Sequence, residues 1–280
     1  MKSLSRLVPV LSLSLVLGAC SSTTDSGAIG VNRKQFLLVS SSEVEAAALQ
    51  AYKGELGEAA KAGKLNNDKA MLERIRVIAD RLIPHVKTFR PDALQWQWEV
   101  NLESNEQLNA YCAPGGKIMF FTGIVNKLSL TDDEIAAIMG HEMAHALREH
   151  GRERMSQAMA QQLGVQLGTK LLGIEDQAQL ALMGSQLLFG LPNSRGQESE
   201  SDVVGLELMA RAGFDPRGAV SLWEKMGRAS GGGGPAFLST HPSGPQRIAE
   251  LQAKLPAVMP LYQQAKAGAG KPVPRVVPRT

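Results

Sequence analysis

An α+β fold, mainly helical with one small sheet of about three strands, follows from three features of the 280-residue sequence. Apolar residues recur at helical spacing over several stretches. One short segment switches to strict alternation, and a Pro-Gly-Gly turn divides the extended residues after it. Hydrophobic residues make up 44% of the chain, enough for one sizeable core or two small ones.

The N-terminus comes first. "MKSLSRLVPVLSLSLVLGAC" places Lys2 and Arg6 before an apolar run from Leu7 to Leu17, followed by small residues and Cys20. That is the layout of a secretory signal peptide over residues 1–19, with an apolar run too short to span a bilayer. Leu17-Gly18-Ala19-Cys20 resembles a lipobox, which implies that Cys20 becomes the lipidated first residue of the mature chain. Serine at 21 and 22, rather than aspartate, implies by the same resemblance a place on the outer membrane facing the periplasm. Each buried acyl methylene contributes about 0.8 kcal/mol to such an anchor. Residues 20–40, small and polar in "SSTTDSGAIGVNRK", read as a flexible tether. The second cysteine, Cys112, is then left without an intramolecular disulfide partner.

Two helices follow, at about Ser42–Ala62 and Asp68–Ile83. The second has Leu72, Ile75, Ile78, Ala79 and Leu82 on one stripe and stops at Pro84. In "ALQWQWEVNL", Leu94, Trp96, Trp98 and Val100 alternate with polar residues, the period of a half-buried strand. "LNAYCAPGGKIMFFTG" adds two extended pieces around Pro114-Gly115-Gly116. Thr131 and Glu134 form a T-x-x-E capping box that starts a helix through residues 139–150. The stretch Met155–Leu188 is helix-prone but repeatedly interrupted by polar residues. A helix at about Gly196–Ala212, a flexible Gly231–Gly234 loop and a short helix Pro245–Leu255 complete the order. Residues 263–280, basic and rich in Pro and Gly, read as a disordered tail.

The net charge of +3 is unevenly spread. Lys2, Arg6, Lys266, Lys271, Arg275 and Arg279 belong to the two ends. Setting them aside leaves 24 of the 30 basic residues against 27 acidic ones, so the body carries no basic nucleic-acid surface.

The chemistry concentrates in "MGHEMAHALREH". At 100° per residue, His141 and His145 lie 40° apart on one helix face, one turn from each other, as two imidazole ligands of one zinc must. Glu142 lies beside that face, able to reach a water without ligating. The pattern is H-E-x-x-H. His150, nine residues from His141, falls on the opposite side of a continuous helix and reads as structural. A third ligand has to come from elsewhere. In "QESESD", Glu198 and Asp202 are four apart and face one way, whereas Glu200 points away. Glu198 can then ligate while Asp202 accepts a hydrogen bond from the far nitrogen of a liganding histidine. An acidic helix start near the positive end of the dipole is the alternative reading of that pair.

At this point "NAYCAPGGKIMFFTG", "LTDDEIAAIMGHEMAHALREH", "SRGQESESDVVGLELMARAGFDP" and "STHPSGPQRI" occur in an order that resembles the membrane-associated zinc endopeptidases. That family includes the CAAX prenyl endopeptidase, HtpX, LoiP and BepA, and the likeness spans about residues 65–255. The lipobox and the absence of membrane spans draw it nearest to the periplasmic lipoprotein type. The resemblance implies a zincin-like (gluzincin) metallopeptidase domain over 41–262, its small sheet packed on the active-site helix. It implies one zinc ion held by His141, His145 and Glu198, with Glu142 as the catalytic base. It further implies a place near the metal for His241, as an occupant of the open position or a stabiliser of the oxyanion, with Arg247 supporting that loop. Ser201 stands where the family usually has alanine.

A zinc endopeptidase of this kind would take unfolded or misfolded envelope proteins as extended strands. Gly115, Gly116, Lys117, Ile118 and Met119 would form the cleft edge, with Gly231–Gly234 as hinge and the 155–188 helices as a lid. A second reading is a chaperone-like factor for outer-membrane protein assembly with a mostly closed metal site. A third is a metal-free lipoprotein scaffold.

Overall fold

The computed structural model of the chain describes residues 20–172, 193–229, 236–241, 244–268 and 275–278. The Gly231–Gly234 hinge and the lid beyond Leu172 lie outside them. The chain opens with a short antiparallel pair, β1 (Cys20–Ser21) and β2 (Gln35–Phe36). Helix α1 (Ser41–Lys61) starts at a capping box of Ser40 and Glu43. Helix α2 (Lys69–Leu82) is capped by Asp68, whose side chain accepts from Met71 N, and all five residues of its apolar stripe are buried.

Two 3₁₀ turns, Ile83–Thr88 and Pro91–Gln95, come next. They correct the predicted long strand, which is confined to β3 (Glu99–Glu103). Pro91 opens the second turn, Leu94 is exposed, and the Trp98 indole N–H donates to Ala93 O. The tryptophan alternation thus belongs to the residues that leave a turn, where Trp96 and Trp98 pack against each other, ring centres 5.5 Å apart.

Strands β4 (Ala110–Ala113) and β5 (Lys117–Phe121) complete a sheet of order β3-β5-β4, with β3 parallel and β4 antiparallel to β5. Every residue of β5 is buried, as suits a central strand covered on both faces. After α3 (Thr122–Lys127), the predicted Thr131–Glu134 box starts α4 (Asp132–Leu147), the helix of the H-E-x-x-H pattern. Then α5 (His150–Leu172), α6 (Arg195–Arg211), α7 (Arg217–Ala229), α8 (Ala236–Thr240) and α9 (Pro245–Ala267) follow. Helix α4 is buried almost throughout, enclosed by α6, α7, α2 and β4. It meets α6 at Gly140 and Gly205. A Cβ on Gly205 would stand 2.7 Å from His141 N and 2.8 Å from Gly140 C, so the two backbones touch.

Both chain ends depart from expectation. The predicted tether, residues 20–40, is seated on the body. Buried Glu207 accepts from the backbone N–H groups of Ala28 and Ile29, and Asp25 N donates to Phe89 O at 2.7 Å. Arg148, fully buried, donates to Ser22 Oγ, Thr24 Oγ1 and Arg33 O, while Gln35 Nε2 donates to Arg148 O. Side-chain anchors of this kind leave no trace in a composition that looks like a linker. At the other end, the predicted short helix runs on to Ala267 through Pro256 and Pro260, held by buried Leu251 and Val258. The tail also docks: Val277 is buried, and Val276 and Val277 donate their N–H groups to Asp80 Oδ1, both at 2.8 Å.

Candidate metal centre

Helix α4 presents His141 and His145 on one face, and their Nε2 atoms are 3.1 Å apart. Helix α6, touching α4 at the glycine pair, brings Glu198 to both: Oε1 is 3.3 Å from His145 Nε2 and Oε2 is 3.5 Å from His141 Nε2. His241, just after α8, adds Nδ1 at 3.2 Å from His141 Nε2 and 3.0 Å from Glu198 Oε1. These four residues are buried, and their donor atoms all lie within 4.8 Å of one another. Two donors on one tetrahedral zinc, each at about 2.0–2.1 Å, stand about 3.3–3.4 Å apart, close to the spacings found here. Two imidazole nitrogens and a carboxylate oxygen are also the donor chemistry that zinc takes. The residues fit the ion.

The structure brings His141, His145 and Glu198 together and sets Asp202 behind His141. Asp202 Oδ1 is 2.9 Å from His141 Nδ1, the far nitrogen of the ring. Arg247 does more than support a loop. Its Nη2 donates to Asp202 Oδ1 at 2.8 Å, its Nε donates to Asp202 Oδ2, and its Nη1 lies 2.6 Å from Glu198 Oε2. Its guanidinium stacks 3.5 Å above the Trp223 ring. One buried cation thus bridges two buried carboxylates and, with the histidines, offsets the cost of holding them charged away from water.

Glu142 occupies the flank of the cluster. Its Oε1 is buried without a hydrogen-bond partner, the nearest basic atom being His241 Nε2 at 3.5 Å. Burial pushes the Glu142 carboxyl up from its ordinary value, against the pull of His241 and His141. A base poised closer to neutrality, with an unsatisfied oxygen turned to the donor cluster, is suited to take a proton from a water there. At Glu198 burial acts in the same direction, but His141, His145 and His241 outweigh it and hold the carboxylate well below the usual range. Asp202 is likewise held low, Arg247 and His141 together overcoming its burial.

His241 stacks on Phe237, ring centres 4.3 Å apart, and stands at the fourth corner of the donor set. Its Nδ1 thus lies within the donor cluster, and its Nε2 is 3.5 Å from Glu142 Oε1. Asn193, which sequence reasoning missed, fixes that loop: its N–H donates to Thr240 O and its Nδ2 lies 3.3 Å from His241 Nδ1. In the sequence it is only the second half of a Pro-Asn helix break.

The cleft beside the donors is lined by Tyr111, Cys112, Glu142, His145, Arg154 and Asn193, among others. This corrects the expected cleft edge. Lys117, Ile118 and Met119 lie in the central strand, paired on both sides, and Gly115 and Gly116 form the turn (φ +78° and +80°) outside the cleft lining. Parallel pairing of β3 with β5, which a Pro-Gly-Gly hairpin does not reveal, makes β4 the edge strand that borders the cleft. Phe121 N donates to Asn109 O, so in the antiparallel alternation Ala110 and Cys112 turn their N–H and C=O outward. Among the described residues no strand pairs with that side. One register step earlier, Leu108 O accepts from Phe237 N.

Cys20 lies in β1. His150, expected on the far side of the helix, is not there. Glu149 takes a left-handed conformation (φ +50°) that ends α4, and His150 begins α5 with its Nδ1 2.9 Å from His145 Nδ1.

The description of peptidase family M48 matches residues 71–255, about two thirds of the chain. Among similar proteins, the mitochondrial metalloendopeptidase OMA1 of Arabidopsis thaliana is 36% identical over 61% of this chain and 35% of its own length. The chain thus spans about a third of that relative. The metalloprotease LoiP of Escherichia coli is 24% identical over 90% of this chain and 96% of its own. The beta-barrel assembly-enhancing protease of the same organism is 25% identical over 72% and 42%.

Proposed function

Because the chain belongs to peptidase family M48, we propose that it is a zinc-dependent endopeptidase acting on unfolded or misfolded proteins of the cell envelope. The observation that carries this reading is the convergence of His141, His145 and Glu198 beside the unpartnered Oε1 of Glu142. Zinc, when bound, supplies the Lewis acid for peptide-bond hydrolysis. The chain's own residues do the rest. His141, His145 and Glu198 hold the ion, Asp202 and Arg247 fix His141, and Glu142 accepts the proton of the attacking water and returns it to the leaving amine. The outward backbone groups of Ala110 and Cys112 bind substrate as an added strand, which favours extended chains over particular sequences. His241 has to leave its corner before substrate can take that position.

The cellular setting rests on other support. The lipobox around Cys20, followed by Ser21 and Ser22, favours a lipid anchor on the periplasmic face of the outer membrane. Changing Cys20 to Ala should move the mature protein from the membrane to the soluble fraction. A second reading, an assembly factor for outer-membrane proteins with a mostly closed site, is favoured by one observation: His241 fills the fourth corner.

Cleavage of unfolded casein separates the two. Glu142→Gln should lower the rate by about 10²–10⁴-fold with one zinc per chain retained. His241→Ala should raise the rate if the histidine only closes the site. Full cleavage by Glu142→Gln would refute the mechanism. Loss of cleavage with undiminished support of outer-membrane assembly would favour the second reading.

A further inference from the structure

The two metal histidines are backed differently, and the second backing extends into the N-terminal segment. His145 Nδ1 meets His150 Nδ1 at 2.9 Å, and His150 Nε2 meets Glu200 Oε2 at 3.0 Å. Proton placement along this line has one consistent solution when His145 Nε2 faces the metal corner. His145 Nδ1 then carries the proton and donates to His150 Nδ1, and His150 keeps its own proton on Nε2 and donates to Glu200.

Glu200 is pinned in turn. Arg33 donates to it twice, Nε to Oε1 at 2.6 Å and Nη2 to Oε2 at 3.0 Å, and Arg148 Nη2 adds a third contact at 3.3 Å. Arg33 is held by Glu153 through Nη1 at 2.6 Å and Nη2 at 2.8 Å. The hydroxyl of Ser201, fully buried, lies 3.3 Å from His150 Nδ1, beside the shorter His145 contact.

We propose that His150, Glu200 and Arg33 form a positioning relay that fixes the ring of His145 and its tautomer. On this inference the N-terminal segment is a working part of the metal centre. The inference rests on the zinc-site reading above. It assigns roles to His150 and Glu200, which helical geometry alone turns away from the site, and to Arg33, which lies in a stretch that resembles a linker.

The test uses the full mature chain with one zinc bound and measures zinc affinity by competition with a chromophoric chelator. The visible spectrum of the cobalt-substituted protein is recorded beside it. Outer hydrogen bonds to a metal histidine are typically worth about 10–100-fold in metal affinity. His150→Leu should lose that much and shift the cobalt bands. His150→Asn, whose Oδ1 can stand in for Nδ1 as acceptor, should recover part of it. Arg33→Gln should weaken zinc by less than His150→Leu but measurably.

Should His150→Leu fail to fold, Glu200→Gln answers the same question, since it keeps an acceptor for His150 and deletes only the charge; it should weaken zinc several-fold. A merely structural role would lower the melting temperature of the metal-free chain while leaving zinc affinity and cobalt spectrum unchanged in every folded variant, and that result would overturn the relay. Wild-type protein that binds no zinc would overturn the site reading and the relay together. Tight and equal binding by wild type and all variants would overturn the relay alone.

Discussion

His141 and His145 sit one turn apart on α4, yet their far nitrogens are secured over different distances. On the His141 side a carboxylate of α6, Asp202, touches the ring directly and is clamped by Arg247 from α9. On the His145 side the carboxylate, Glu200, also comes from α6 but reaches the ring through an interposed imidazole, and its clamps are Arg33 and Arg148. The pattern is the same in both, histidine to acid to arginine, with one extra link in the second. A direct contact needs only neighbouring helices. A relayed contact needs a third element turned into place, which here is the start of α5 after the left-handed Glu149.

Three substitutions sharpen or break that contrast. Gly205→Ala should have the largest effect, because it acts on both sides at once. The new Cβ meets α4 backbone at 2.7–2.8 Å and forces the helices apart, carrying Glu198, Glu200 and Asp202 away from the histidines. Overpacking of this kind costs about 1–3 kcal/mol, and contact with backbone rather than a movable side chain puts it near the upper end. Thermal melting and zinc titration should both register it. A variant with wild-type zinc affinity would show that the glycine contact does not set the ligand spacing.

Asp202→Asn comes next. It should weaken zinc by about 10–100-fold, or about 1.4–2.7 kcal/mol, because a neutral amide replaces the charged acceptor on His141 and loosens the hold of Arg247 on that acceptor. If its loss equalled that of His150→Leu, the direct and relayed arrangements would be equivalent in strength. A zinc affinity unchanged in Asp202→Asn would remove the His141 side of the comparison altogether.

Glu134→Gln touches neither side and should have the smallest effect. Glu134 closes the capping box of α4 and accepts from Lys225 Nζ at 2.7 Å and Ser221 Oγ at 2.8 Å. Its burial favours the neutral acid, but Lys225, Thr131 and Ser221 outweigh that and lower its pKa from the ordinary 4.5. The folded chain therefore binds the proton less readily than the unfolded chain. The stabilisation is complete above about 4.5 and is lost as pH falls through the lower folded value. Glu134→Gln should cost about 1 kcal/mol at neutral pH and flatten the acid limb of the stability curve with zinc affinity intact. A coupled fall in zinc affinity would tie the helix cap to the metal corner.

The direct side was legible in the sequence and the relayed side was not. Four-residue spacing on a helix places His141 with His145 and Glu198 with Asp202, and those pairs need no tertiary information. His150 follows the same helical arithmetic only while the helix continues. It stops at Glu149 without glycine or asparagine to announce the turn. What holds that backbone is tertiary: the Glu149 carboxylate takes Ser41 Oγ and Arg152 Nη1, each at 2.6 Å, and Arg90 Nη1 at 2.7 Å. Residues 20–40 and 275–278 escaped for a related reason. A few side chains, Arg33, Arg148, Glu207 and Asp80, secure segments whose own composition is small and polar. The cleft edge failed on topology, since alternation identifies a strand but not which of its neighbours lies outermost.

The seating of the first residues has a consequence for how the molecule matures. Arg33 meets its acid partner 167 positions downstream, and Ala28 meets Glu207 across 179. The portion synthesised earliest must therefore wait for α6 before it can settle, and distant pairings of this kind form slowly. Until then His145 lacks its full backing. A nascent chain carries both histidines of the metal centre long before it owns Glu198 and the brace behind His145.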